Sequence, residues 1–575
     1  MTDQKWIIDT EPSTKYPVYT RLNANDVMPD PITPLGGSLV WIPEVMPGWG
    51  KGYIQLDAFT PAEIAAEAVA PVGGFIYGHL YINQTTVRII GIRAGIGADA
   101  IDAAFFAHPG APKHEPSDSD VNEELSARMA GRTQWALTAT TFPEIDEERE
   151  YVLRLRSARP NLAAATNEIL VSWARSAACV QRLMWGRGYC MASNQTAVGP
   201  GVIAALVGAV DPTLVVRLIG SAGDVDSALP SYALWDLSRI VRGDDGLTAT
   251  FDAGMEGLLG RLHSEHPDFA TRFDNFVYEY GYRGPSEWDP GVDSWETKPE
   301  LPLGLIDRLR QLEDSASPAL RREEHATEAA EALQQALGIL GDNEEAVQTL
   351  QLAIGSARRF AAWRERGKTT AVMAMNEVRA PLFELGRRLV AKGELDHPRQ
   401  VFMALNSELD ALTTHAGELR DILRERERQW KELFEVELPT FVVATDGVKP
   451  VSELNRKGSA QVAAVRPGDV LAGAPASAGV ARGRARVIRD LSQIADFEPG
   501  EILVAPQTDP SWTPLFMVAS GVVVDVGAMG SHAMIVSREL GIPCAAGVEN
   551  ASSRIPDGTL LEVDGSSGKV TVLEG

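Results

Sequence analysis

The chain has 575 residues, 45% of them hydrophobic and 23% charged, too long for one compact core and long enough for two to four domains. A net charge of −25 argues against nucleic acid or an anionic membrane surface as the main ligand, so any anion must be held by local basic groups. Three cysteines (Cys179, Cys190, Cys544) without metal-ligand spacing argue against a disulfide framework or a metal site, and the absence of a signal pattern or of about 18 consecutive apolar residues gives a cytoplasmic expectation.

Residues 1 to about 60 are rich in Pro, Gly and Trp and read as an irregular packed entry segment. From residue 61 the pattern turns helical, with amphipathic stretches such as 162–184 and long Ala-, Leu-, Glu- and Arg-rich runs over 318–341 and 343–393. Pro381 inside the last run predicts a kink or restart. A further run over 404–435 completes a mainly α-helical domain, 1–437, and the apolar spacing departs from the strict heptad of a coiled coil. Pro- and Gly-rich residues 438–470 read as a linker. Residues 471–575 then show short β-type runs at 485–488, 502–505, 521–526 and 544–548, with a hairpin from 560–563 and 569–573. Helical patterns near 515–518 and at 532–540 make this a small α/β domain.

Within it, an apolar strand runs into a Gly-rich turn, Gly527-Ala528-Met529-Gly530, which hands Ser531-His532 to the first turn of a short helix closed by Gly541 and Pro543. A helix N-terminus offers free N–H donors and partial positive charge, so it favours a bound anion and a neutral, nucleophilic imidazole. Taken alone, such a pair is more often an ordinary N-cap with a bystander histidine. The segment 527–548, with 473–483 and 505–515 upstream, resembles the phosphohistidine swivelling (mobile) domain of the phosphoenolpyruvate-utilising enzymes. That resemblance implies that His532 carries a phosphoryl group, with Ser531 and Gly530 beside it at the phosphate. Ala528 stands where a second glycine is commoner, which leaves the nucleophile untouched.

No eight-fold strand–helix alternation precedes the carrier, which disfavours a pyruvate-binding barrel. Segments 21–35, 280–287 and 385–402 resemble instead the helical acceptor branch, that of the rifampicin phosphotransferase-like and phenylphosphate synthase-like enzymes, though Tyr282 replaces a frequent His. No phosphate-loop segment is seen ahead of the helices. The resemblance therefore implies a separate ATP-grasp subunit that holds ATP and Mg2+ and phosphorylates His532 with release of AMP and phosphate.

Phosphoryl transfer needs cations aimed at the transferring oxygens and a polariser for the acceptor hydroxyl. Arg364 and Lys368, four apart in a helical run, share a face and suit one phosphate, although a solvated basic face has the same spacing. The resemblance makes them the catalytic pair and lets Lys368 lower the pKa of a phenol. Arg283 with Glu287, in a loop bounded by glycines, are further phosphate- or substrate-binding candidates, or a structural ion pair; Arg21 and Asn25 join them with less support. Trp41, Trp49, Trp173 and Trp185 are candidates for an aromatic-binding pocket or for a large helical core. The expected function is the acceptor-binding and phosphocarrier subunit of a dikinase-type phosphotransferase acting on a small phenolic compound such as phenol or a hydroxyacetophenone. Its rivals are a rifampicin-type antibiotic phosphotransferase subunit and a non-catalytic phosphocarrier.

Overall fold

The computed structural model describes residues 5–106, 108, 110–211, 213–219, 225–457, 463–489, 493, 497–508, 512–527 and 531–574. They form two compact units, Met1–Val198 with Ser286–Val292 and Arg359–Ala460, and Gly199–Pro285 with Asp293–Arg358 and Gln461–Gly575. A large helical region and a smaller C-terminal α/β domain are both present, as the patterning predicts. The unit boundaries differ from the expected division into 1–437, 438–470 and 471–575, because helices between 199 and 358 group with the α/β domain.

In the first unit, strands β1 (Val18–Thr20), β2 (Gly73–Ile76), β3 (His79–Asn83) and β4 (Phe441–Val443) form an antiparallel sheet in the order β2-β3-β1-β4. β4 comes from the segment expected to be linker, where Val442 pairs with Tyr19. Farther along that segment the Lys457 N–H donates to the Glu435 carbonyl at 2.8 Å. Short strands contributed singly from distant positions carry little periodic signal of their own.

The entry segment is also more regular than its composition suggests. Residues Gly36–Val45 wind in widened π-type turns that accommodate Pro43, and Met46–Gln55 continue as an α-helix. Its glycines are contact points with helix Asn167–Gly186 and the next helix, Tyr189–Gln195: a Cβ at Gly48 would stand 2.8 Å from the Arg182 carbonyl oxygen, and one at Gly52 2.6 Å from Cys190 Sγ. Small residues let the backbones approach, and packing overrides the low helix propensity of glycine. The stretch Asn167–Gly208 is, among the described residues, the one helical stretch long and apolar enough to cross a membrane. Its first helix buries Leu170, Val171, Ala174, Ala178, Gln181 and Trp185 as a stripe, and exposed Arg182 lies on the other side, which is the pattern of a core-facing helix. Helix Glu344–Ala391 runs unbroken through Pro381.

In the second unit an eight-stranded sheet is built from β5 (Val470–Ala472), β6 (Ala474–Ser477), β7 (Val480–Val487), β8 (Ile502–Ala505), β9 (Gly521–Val524), β10 (Cys544–Ala546), β11 (Leu560–Asp564) and β12 (Lys569–Glu574). The order is β5-β12-β11-β7-β8-β9-β10-β6, with β7 to β10 mutually parallel. Alternation assigns the two faces. Leu503, Val522 and Val524 pack with Leu515 and Phe516 and with Trp235, Phe273 and Trp295 of the helical part, while Ile502, Val504 and Val523 pack under Ile555, Leu561 and Val570. Covered on both faces, β8 and β9 read as continuous apolar runs. Helix Glu300–Leu309 packs on Thr513–Val518, and Pro318–Leu340 on His532–Leu540. This shared core is why helices 199–358 group with the sheet.

Candidate active site

The C-terminal end of β9 carries the histidine loop. Asp525, the first residue after the strand, accepts the Ser552 N–H at 2.7 Å and the Ser552 hydroxyl, which anchors the loop to the segment after β10. Burial pushes this carboxyl up from its ordinary range, and the Ser552 bonds pull it down. A Cβ at Gly527 would lie 2.8 Å from Ala546 Cβ, so the turn passes tightly over β10. Ala528 to Gly530 lie outside the described residues, so the Gly530 expectation has no structural counterpart here.

Ser531 occupies the N-cap position with extended backbone and is 5% exposed, yet its hydroxyl makes no capping bond and has no partner among the described residues. The helix starts instead on its backbone, with the Ile535 N–H donating to the Ser531 carbonyl at 3.0 Å. His532 opens the helix His532–Leu540. Its Nδ1 lies 2.9 Å from Thr508 Oγ1 and its Nε2 3.1 Å from Thr513 Oγ1. The Phe516 ring meets the imidazole edge-on, with 5.7 Å between centroids. Gly541 ends the helix in the left-handed region (φ 63°), and the Ile542 N–H caps the Ser537 carbonyl. Two hydroxyls, each able to donate or accept, therefore hold both ring nitrogens of the imidazole and fix its plane. Sequence reasoning assigned no role to Thr508 or Thr513; they lie inside the segment quoted for the resemblance, but only the fold closes 24 and 19 residues of chain back onto the ring.

The other predicted residues divide between the units. Arg21, Asn25, Glu287, Arg364 and Lys368 belong to the first; Arg283, Ser531 and His532 belong to the second. Arg364 and Lys368 do lie on one helix, Glu344–Ala391. Arg364 places Nε and Nη2 on Glu365 Oε1 at 3.1 and 2.7 Å. Half-buried Lys368 makes no hydrogen bond or ion pair among the described residues, so its ammonium is available to a ligand. Gly367 between them is a contact point: a Cβ there would stand 3.2 Å from both Tyr189 Cα and Ile145 Cδ1.

Tyr189 links this helix to an aromatic cluster. Burial pushes its phenol well above the ordinary range, the Arg364 charge pulls it down, and Glu365 works against Arg364. Its ring stacks on Trp288 at 6.2 Å and meets Trp185 edge-on at 4.8 Å. Trp185 in turn contacts Trp41 at 5.9 Å and Trp49 at 4.9 Å, and the Trp41 indole N–H donates to the Trp288 carbonyl at 2.9 Å. The structure thus brings together Trp41, Trp49 and Trp185 and adds Tyr189 and Trp288; Trp173 makes no ring contact among the described residues.

Arg21 and Asn25 do meet, at 2.8 Å from Nη2 to Oδ1. The same nitrogen donates to the Pro29 carbonyl at 2.9 Å, and burial weakens the guanidinium's hold on its proton. This geometry anchors the 21–29 turn. Arg283 is 1% exposed, lies over the neighbouring Tyr282 ring at 5.3 Å, and accepts the Trp295 N–H on its carbonyl. Glu287, also 1% exposed, accepts on its carbonyl from Arg379, which bridges to the Asp289 carbonyl as well.

Residues 189–365 match the family described as the rifampicin phosphotransferase fourth domain, and residues 497–568 match the PEP-utilising enzyme mobile domain. Among curated proteins the chain is 30% identical over 304 residues to a rifampicin phosphotransferase of Bacillus cereus, covering 52% of the chain and 34% of that protein. It is 33% identical over 374 residues to the rifampicin phosphotransferase of Streptomyces sviceus (62% of the chain, 40% of the relative). It is also 33% identical over 386 residues to the prodigiosin synthesizing transferase PigC of Serratia marcescens, again covering 62% and 40%. The matched region thus spans about a third to two fifths of these relatives. A mobile domain of this kind implies a phosphohistidine, and the two matched segments make the chain similar to phosphotransferases that carry such a domain.

Proposed function

We propose that the protein is a phosphotransferase that carries a phosphoryl group on His532 and delivers it to the hydroxyl of a small aromatic acceptor. The observation that carries this reading is the held imidazole: a ring at the first turn of a helix, both nitrogens aligned by Thr508 and Thr513, at the carboxyl end of parallel strand β9. In this reading an ATP-grasp subunit charges His532 from Mg2+-ATP and releases AMP and phosphate. Arg364 and Lys368 then steady the phosphoryl oxygens at the acceptor, where charge spreads over three equatorial oxygens in a loose transition state. Half-buried Tyr189, backed by the buried rings of Trp41, Trp185 and Trp288 and influenced by the Arg364 charge, is the aromatic surface that a flat acceptor would meet. A phenol suits this chemistry because it ionises more readily than an alcohol.

The names of the relatives favour a second acceptor, rifampicin. The experiment is to incubate the chain with Mg2+-ATP, with and without a candidate ATP-grasp protein, and to follow intact mass for the wild type and for His532→Ala. An acid-labile gain of one phosphoryl group that depends on His532 and on the ATP-grasp protein supports the carrier. Release of that group by phenol, 4-hydroxyacetophenone or rifampicin then sorts the acceptors. No gain under any pairing overturns the reading.

A further inference from the structure

Delivery to a neutral hydroxyl leaves a proton to be removed, and Glu365, the carboxylate beside Arg364, is itself paired with that arginine. Glu148, on helix Pro143–Ser157, is 1% exposed. Its Oε1 accepts the Gly188 N–H at 2.9 Å, while its Oε2 is buried without a partner among the described residues. That oxygen packs against the side of Gly188 that carries no side chain, where a Cβ would stand only 2.6 Å away, and the same Cβ would meet Ile145 Cδ1 at 2.8 Å. Ile145 Cδ1 is also the atom that abuts Gly367, on the turn between Arg364 and Lys368. Gly188 leads directly into Tyr189, so Ile145 packs between the Gly188 that Glu148 holds and the helix turn that carries Arg364 and Lys368, one residue from the aromatic cluster.

Resting on the reading above, we propose that Glu148 takes the acceptor's hydroxyl proton as the phosphoryl group arrives. The acceptor O–H bond breaks to Glu148 Oε2, the acceptor oxygen forms the new P–O bond, and the N–P bond breaks with its electron pair returning to His532. The proton then leaves Glu148 for water or for the freed imidazole. The charges around the carboxyl suit this task. The Gly188 N–H and Arg187 favour its ionised form, but Arg187 is paired with Glu147 at 2.6 Å, and Glu144 and Glu147 oppose ionisation. Across from it, Arg366 is paired with Asp146 and Arg364 with Glu365. Burial outweighs the favourable groups and pushes the carboxyl up to about 8, within the working range of a base for a weakly acidic hydroxyl.

The test compares two acceptors on chain phosphorylated beforehand with phosphoramidate, a chemical donor that needs no partner. Phenol must lose its proton during transfer; 4-nitrophenol is already ionised at pH 8. Glu148→Gln is expected to slow single-turnover transfer to phenol about 100-fold while leaving transfer to 4-nitrophenol within a few-fold of the wild type. The wild-type ratio of phenol to 4-nitrophenol rates is expected to climb as pH rises through about 8. Equal loss on both acceptors, or no loss on either, overturns the role of Glu148 while the carrier reading stands. If Glu148→Gln does not fold, a wild-type ratio that stays flat with pH overturns it instead. Wild-type transfer to neither phenol overturns the aromatic-acceptor reading, and this inference with it.

Discussion

His532 shows how much depends on which nitrogen carries the proton. A neutral imidazole has one donor and one acceptor, so one threonine accepts from the ring and the other donates to it. In the proposed transfer Nε2, the nitrogen farther from the backbone, takes the phosphoryl group, and Thr508, 2.9 Å from Nδ1, holds the proton on the opposite side. Replacing Thr508 by Val keeps the shape and removes the hydroxyl. The initial rate of acid-labile phosphate incorporation is expected to drop about tenfold, the upper end of one net hydrogen bond. Thr513→Val, which frees Nε2, is expected to cost less. The reverse ranking would identify Nδ1 as the nucleophile.

Elements in this chain are set by close approach as much as by propensity. Gly48 sits in regular helix and would ordinarily gain stability on replacement by alanine, because the unfolded chain loses freedom. Here the added methyl meets the Arg182 carbonyl oxygen at 2.8 Å and Trp185 Cβ at 3.1 Å. Gly48→Ala is therefore expected to destabilise by about 1–3 kcal/mol, the range for overpacking a filled contact. Urea unfolding would register it as a lower midpoint at unchanged slope. A rise in midpoint would mean that the two helices separate to admit the methyl. Gly52 faces the same kind of obstruction from Cys190.

Across the molecule, several buried carboxyls tie stability to pH. Asp9 accepts N–H bonds from Trp6 and Tyr77 at 3.1 Å and from Gly78 at 2.7 Å, yet burial outweighs them and raises its pKa from 3.8 to about 7. Glu148 is raised from 4.5 to about 8. A carboxyl whose folded pKa is raised binds more protons folded than unfolded, so its contribution is fully present below the unfolded value and is lost as pH rises through the folded one. The unfolding temperature is therefore expected to fall between pH 5 and about pH 8, and self-repulsion of a chain with net charge −25 acts in the same direction. The double variant Asp9→Asn, Glu148→Gln is expected to flatten this dependence. A wild-type unfolding temperature that rises over the same interval would contradict the assignment of both groups.

At this same scale the sequence and the fold divide the work. The strand and the helix that hold Ser531-His532 were legible because they and the closing Gly541 lie within 21 consecutive residues, where local propensity and capping act without help from the rest of the chain. The helical runs of 318–341 and 343–393 were legible for the same reason, since a 3.6-residue period shows in any window. Strands β1 and β4 were not, because each is three residues long and exists by pairing across more than 400 residues of sequence. Glycines 48 and 52 read as breakers until the helix they touch is known. The contacts of Thr508 and Thr513 with His532, of Tyr189 with Trp288 and of Glu148 with Gly188 are likewise decisions of the tertiary structure. The sequence by itself determined the strand and helix that present His532, because those depend on adjacent residues. Only the fold decided what surrounds it and what stands beside Arg364 and Lys368, because desolvation and close packing arise between residues that the chain keeps apart.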